Sequence, residues 1–357
     1  MEHFDVMEKY GHEQIVFCSN KESGLRAIIA IHDTTLGPAI GGTRMWNYKD
    51  VNEALEDVLR LSRGMTYKAS IAGLNFGGGN AVIIGDSETA KTELLFRTFG
   101  KFIQGLSGRY ITAEDVGTTV KDMEYVLMET EHVTGISKAL GGSGDPAPVS
   151  AYGVYVGIKA CAKAKWGSDS LEGKKIVVQG AGQVSRYLCE HLDNEGAVIY
   201  ISDLVESKIN RMLDSVKAEV ISPEQVYSME ADIFAPCALG AVINDKTIPK
   251  FRFDIIAGSA NNQLADEDKH GKKLLEKGIL YAPDYVINAG GLINVSNELN
   301  GYRQDRALKQ ADGIYDTLTK VIEISNEQKI PTNLASNKIA EERLKKIGGI
   351  RKIYSGK

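Results

Sequence analysis

The stretch VVQGAGQVSRYLCEHL, residues 177–192, runs from an apolar segment through Gly180-Ala181-Gly182 into helical spacing. A strand that enters a helix through Gly-x-Gly is the turn a dinucleotide requires. Gly180 permits the tight turn, and Gly182 lets the backbone approach a pyrophosphate with no Cβ in the way. The amides that open the helix, at Gln183 and Val184, then supply donors at the positive end of its dipole. Ser185 holds the third position, where Gly or Ala packs helix on strand more closely. Asp203 ends the next apolar run, AVIYISD (197–203), about 20 residues further on, where a carboxylate accepts from both ribose hydroxyls and repels a 2′-phosphate. The expected cofactor is NAD rather than NADP.

Outward from this turn the chain alternates helix and strand. VSAYGVYVGIKACAKAKW (149–166) reads as an amphipathic helix, and KKIVVQG (174–180) as a continuous apolar strand suited to the middle of a parallel sheet. AVIYISD, AEVIS (218–222), ADIFAPCA (231–238), FDIIAGSA (253–260) and LYAPDYVINAGG (280–291) read as later strands. Upstream the pattern differs. EQIVFCSN (13–20) and LRAIIAIHDT (25–34) are Ile- and Val-rich runs whose intervening turn residues predict a hairpin. From Val51, the apolar Ala54, Leu55, Val58, Leu59 and Leu61 mark the buried face of a helix, with Glu53, Glu56, Asp57 and Arg60 toward water. NAVIIG (80–85) and GRYITAED (108–115) read as strands. GISKALGGSGDPAP (135–148), dense in Gly, Ser and Pro, separates the two patterns as an irregular connection.

A chain of 357 residues exceeds what one core usually serves, so two domains are expected. They are residues 1–138, with a closing helix from about 330 to 357 packing back on them, and residues 139–329. The tail from Lys338, rich in Lys and Arg, reads as the solvated face of that helix. Net charge is -5, which lacks the basic footprint of a nucleic-acid binder. The amino terminus has no signal-like segment, and no apolar run is long enough to span a bilayer. A cytoplasmic protein with small-molecule partners follows as the expectation. Cys18, Cys161, Cys189 and Cys237 are far apart and the six histidines scattered, so no metal site is expected, and His12 and His32 read as packed or solvated.

Several longer stretches are more specific: IIAIHDTTLGPAIGGTRMW (28–46), RGMTYKASIAGLNFGGG (63–79), RYITAEDVGTT (109–119), HVTGIS (132–137), APCALGA (235–241), AGSANNQL (257–264) and YAPDYVINAGGLINV (281–295). In these the chain resembles the leucine-dehydrogenase branch of the Glu/Leu/Phe/Val amino-acid dehydrogenase family, from near residue 10 to beyond residue 340. The resemblance implies an α/β protein, with a mixed α/β catalytic and oligomerisation domain and a Rossmann-type NAD-binding domain separated by a cleft. It also implies a homo-oligomer and NAD-dependent deamination of apolar, branched-chain L-amino acids to 2-oxo acids. By the same resemblance Lys68 binds the substrate carboxylate and Asp115 exchanges a proton with its amino group. Gly41, Gly42 and Met65 would line the substrate cleft, and Ile40, Ala113, Leu292 and Val295 an apolar pocket. Asn262 would sit near nicotinamide and substrate, Ser150 would meet the carboxamide, and Ala238 and Asn261 would border the cofactor. Ser150 and Ser259 replace the family's more usual Thr and Ala, and Gln183 a usual Asn.

One departure bears on the reaction. The family's loop continues its three glycines with a lysine that activates water; here the residue is Asn80. An amide donates and accepts hydrogen bonds but has no titratable proton near neutral pH. Deamination impaired at the hydrolytic step is the first expectation. A diverged oxidoreductase acting on an imine or amine without hydrolysis, and a catalytically silent cofactor-binding homologue, are the alternatives.

Overall fold

A computed structural model describes residues 3–238 and 240–350, which form two compact units. The first contains the described residues up to Asp145, Val295–Arg303, and those from Ala340; the second is Pro146–Asn294 with Gln304–Ile339. The division therefore falls at Asp145 rather than at 138, the chain returns to the first unit briefly at Val295–Arg303, and the closing helix, which begins at Thr332, joins that unit only from Ala340. Residues 351–357 of the expected closing helix lie outside the described residues.

In the first unit, helix α1 (His3–Tyr10) precedes β1 (Gln14–Asn20), β2 (Leu25–Asp33), β3 (Ala39–Trp46), α2 (Val51–Ile71), β4 (Gly77–Ile84), α3 (Glu93–Gln104), β5 (Tyr110–Glu114) and α4 (Val120–Leu127). The strands form one sheet in the order β1-β2-β4-β3-β5. β1 and β2 make the hairpin read from the sequence, while β3 pairs parallel with both β4 and β5. Strand alternation sends Ile28, Ala30 and Val82 to α2 and Ile29, Ile31, Ala81 and Ile83 to Phe96, Phe99 and Ile103 of α3. Each such aromatic ring contributes roughly 1.5–3 kcal/mol by burial.

Helix α2 starts because Asp50 caps it, accepting from the amides of Asn52 and Glu53. Ser62, not Leu61, continues its buried face, as a period of 3.6 from Leu55, Val58 and Leu59 requires; Leu61 is half-buried. Asp57 does not turn to water: its carboxylate takes Arg44 Nη1 at 2.9 Å and the Tyr48 hydroxyl at 2.7 Å. Gly78 is where helix and strand meet, since a Cβ there would stand 2.1 Å from the Thr66 amide nitrogen. His12 and His32 pack against the same helix: His12 Nε2 lies 3.0 Å from Ser62 Oγ, and His32 Nδ1 2.8 Å from Thr66 Oγ1. Burial, then the neighbouring His32, lowers the His12 pKa to about 4.

The second unit carries α5 (Ala147–Trp166), β6 (Lys175–Gln179), α6 (Gln183–Asn194), β7 (Val198–Ser202), α7 (Glu206–Leu213), β8 (Ala218–Val220), β9 (Ile233–Pro236), β10 (Ile255–Ile256), α8 (Glu267–Glu276) and β11 (Leu280–Tyr281). After these come α9 (Asp284–Ile287), α10 (Gly290–Ser296), α11 (Gln304–Gln328) and α12 (Thr332–Ile350), of which α10 and α12 run on into the first unit. Its sheet has the order β11-β10-β9-β6-β7-β8, with every recorded strand pair parallel.

Two expectations need correction here. Helix α5 is not amphipathic: its buried residues, from Val149 and Ala151 through Gly153, Val154 and Gly157 to Cys161, go round the helix. Gly153 and Gly157 let neighbours close in, as a Cβ at either would meet Ile314 Cδ1 at 2.7 Å or Ile287 Cγ1 at 2.6 Å. LYAPDYVINAGG is strand only at Leu280 and Tyr281, after which Pro283 redirects the chain into α9 and α10. No helix among the described residues is long and apolar enough to cross a membrane.

Candidate active site

The first unit gathers Asn80 of β4, Gly41 and Gly42 of β3, and Asp115 just beyond β5. Ile40 pairs with Gly78 of β4, and Gly41 and Gly42 with Thr112 and Ala113 of β5. A Cβ on Gly41 would lie 1.7 Å from Gly79 O and 3.0 Å from Asn80 Oδ1; one on Gly42 would lie 2.6 Å from Asp115 Cβ. Only glycines fit between these two side chains. Asn80 is 2% exposed, and its Nδ2 has no hydrogen-bond partner among the described residues. Asp115 Oδ1 accepts from the Val116 amide at 2.8 Å. Its Oδ2 faces Arg44 Nη2 at 3.4 Å, so the guanidinium bridges Asp115 and Asp57.

Met65 and Lys68 lie on α2 and are half-buried. Ile40 is fully buried, Ala113 and Val295 nearly so. Arg44 was missed in the sequence, although it stands two residues beyond Gly42 in GGTRMW and so shares its side of β3. Glu114 was missed too. Burial, then the carboxylates of Asp145, Glu298 and Asp122, raise its pKa to about 7. Glu298 itself is held by the amides of Gly135 and Ser143 and by the Ser143 hydroxyl.

In the second unit, β6 enters α6 through Gly180, whose φ is 105° and whose Cβ would lie 2.8 Å from Ala238 Cβ and 3.0 Å from Cys237 O. The turn is thus pressed onto the segment after β9. Gly182 caps α6 in extended conformation, and no side chain caps the helix start. A Cβ on Gly182 would meet nothing within 4 Å, and Gly182 and Gln183 are exposed, with Val184 half-buried. Uncapped amides at an open helix start fit a pyrophosphate. Asp203 follows β7 and holds the turn, accepting from the Ala181 amide at 2.7 Å and the Val205 amide at 2.8 Å.

Ser150, on α5, donates to Pro146 O and lies under the Gly290-Gly291 pair, a Gly291 Cβ standing 2.9 Å from its Oγ. Leu292, next in chain, is buried. Asn261 and Asn262 are exposed; Asn261 Oδ1 takes Asn288 Nδ2 at 2.7 Å, while Asn262 has a φ of 50°. Among the described residues no group of three or more His, Cys, Asp or Glu is placed to hold a metal.

A parallel sheet with a glycine turn at a bare helix start in one unit, and an Asn, Asp and Arg cluster on the sheet of the other, define a Rossmann-type nucleotide-binding protein with a separate mixed α/β domain. Residues 12–132 match the family described as Glu/Leu/Phe/Val dehydrogenase, dimerisation domain, and residues 201–347 match Glutamate/Leucine/Phenylalanine/Valine dehydrogenase. The chain belongs to this dehydrogenase family. It is 57% identical to leucine dehydrogenase of Thermoactinomyces intermedius over 354 residues, 99% of this chain and 96% of that protein. Phenylalanine dehydrogenase of Bacillus thermotolerans is 46% identical over 362 aligned positions, covering 100% of this chain and 94% of that protein. The crystal structure of L-tryptophan dehydrogenase from Nostoc punctiforme superposes with a TM-score of 0.85 at 47% identity, covering 96% of this chain and 99% of that one.

Proposed function

We propose that the protein is an NAD-dependent dehydrogenase that deaminates an apolar, branched-chain L-amino acid to its 2-oxo acid, with the hydrolytic step slowed by Asn80. The observation that carries this reading is the Arg44-paired Asp115, with Lys68 on α2 of the same unit, in a chain 57% identical to a leucine dehydrogenase. NAD, held at Gly180, Gly182, Gln183, Val184 and Asp203, supplies the hydride acceptor. Ser150, Ala238, Asn261 and Asn262 border its nicotinamide end. Lys68 anchors the substrate carboxylate with a flexible ammonium. Asp115 takes a proton from the substrate nitrogen, and Arg44 keeps its carboxylate directed at that atom. Gly41, Gly42 and Met65, with Ile40, Ala113 and Val295 of the same unit, shape an apolar seat for the side chain. A charge at Asp203 favours NAD over NADP. The match to a dimerisation domain supports a homo-oligomer built by the first unit.

The test is direct. Purified protein with NAD and leucine, valine or phenylalanine at alkaline pH is expected to give slow NADH formation, and calorimetry to give NADH binding. Absence of NADH binding ends this reading.

A further inference from the structure

We infer that the Asn80 site is built for a preformed 2-imino acid, whose C=N bond is reduced without an activated water, in preference to a 2-oxo acid with ammonia. This rests on the reading above for the cofactor and for Lys68. Asn80 Nδ2 is a buried donor with no partner among the described residues, and such a group is costly unless a ligand brings an acceptor. Across the Gly41-Gly42 floor, each Asp115 oxygen already has one partner, Val116 N–H or Arg44, and keeps a lone pair for a ligand donor. The ligand that satisfies both sides carries an acceptor toward Asn80 and a donor toward Asp115. A protonated 2-imino acid does so: its carboxylate accepts, and its iminium N–H donates.

Charge points the same way. A lysine at position 80 puts an ammonium beside the iminium, whereas the neutral amide removes that repulsion and leaves Asp115 as the counter-ion. Direct reduction of a 2-oxo acid fits less well, because the oxygen needs a proton as charge develops and Asn80 has none to give. The step balances. The imino carbon takes the hydride of NADH, the C=N π pair becomes the nitrogen lone pair, and the amine then takes one proton from solvent.

The probe is 1-pyrroline-2-carboxylate, a cyclic 2-imino acid that exists without ammonia, compared with 4-methyl-2-oxopentanoate plus ammonia. For the native protein with NADH, kcat/KM for the imine is expected to exceed that for the oxo acid by about tenfold or more, and Asn80→Lys to reverse the preference. In the presence of NAD+, where no hydride can move, calorimetry is expected to show the imine binding about tenfold more weakly to Asn80→Lys than to the native protein. An unchanged preference in the variant, or equal imine binding by the two proteins, overturns the inference. If Asn80→Lys aminates the oxo acid while the native protein reduces no imine, the inference falls and the dehydrogenase reading stands. If Asn80→Lys aminates nothing but reduces and binds the imine about tenfold less well than the native protein, the inference stands and the dehydrogenase reading falls.

Discussion

On the proposed reading, the floor of the first unit and the glycine turn of the second hold their ligands by different means. Around Gly180 and Gly182 the grip comes from backbone: a turn with φ of 105°, bare amides at a helix start, and a carboxylate tying the turn to β7. Side chains nearby, Gln183 and Ser185 among them, can drift while the amides stay in place. Around Gly41 and Gly42 the backbone only makes room, and the chemistry rests on single side chains at positions 80 and 115. On the proposed reading one substitution there changes the reaction, while β4 stays in register with β2 and β3. A fold can therefore be inherited whole while its proton transfer is not.

The strongest way to sharpen this contrast is Asn80→Lys. Restoring a titratable amine is expected to raise reductive amination of branched-chain 2-oxo acids by roughly 10²- to 10⁴-fold, read as ammonia-dependent NADH consumption. NADH affinity should stay the same, since residue 80 belongs to the other unit. A change in affinity without a change in rate would erase the distinction.

Gly180→Val attacks the other side. A branched residue at that φ, with its Cβ 2.8 Å from Ala238 Cβ, is strained and must displace the segment after β9. The expected cost is about 1–3 kcal/mol in stability together with loss of NADH binding, followed by urea unfolding and calorimetry. The mild outcome, unaltered NADH affinity, would mean that the turn is not the cofactor's cradle.

The two regions also differed in how well the sequence announced them. The glycine turn and Asp203 were legible because backbone requirements write themselves as Gly and as spacing. The β1–β2 hairpin and α2 were legible through period, though Ser62 rather than Leu61 sits on the buried face. Helix α5 defeated the amphipathic reading because it is buried on several sides, and VIN at 286–288 looked like strand until Pro283 and packing of Ile287 on Gly157 decided otherwise. Arg44 and Glu114 were illegible for another reason. Their importance lies in partners distant in sequence, Asp57 on α2 and Glu298 beyond the second unit's strands, which no local pattern displays.

Glu114 gives a third, smaller test, confined to the first unit. Its pKa is raised from 4.5 to about 7, so between those values the folded protein keeps a proton that the unfolded chain has lost. Stability from this group is complete below the lower value and falls as pH rises through the upper one. Glu114→Gln is expected to stabilise the protein by about 1–2 kcal/mol at pH 8, after allowance for screening by water, and to change little at pH 4. Urea midpoints at the two pH values decide it, and equal effects at both would remove the carboxylate cluster as the cause.

The smallest effect belongs to Ser185, the residue that departs from Gly or Ala in the dinucleotide motif. It is 1% exposed, and its Oγ sits beside the Cys237 thiol without a well-formed hydrogen bond. A thiol is a weak partner, so the hydroxyl has given up water for little return. Ser185→Ala removes it without leaving a donor behind and is expected to gain up to about 1 kcal/mol. NADH affinity should not move beyond about twofold, because the amides at the start of α6 do the holding. A loss of stability would show that Ser185 has a stronger partner than the thiol, and a loss of affinity would show that side chains on this helix share the grip that the comparison assigns to backbone.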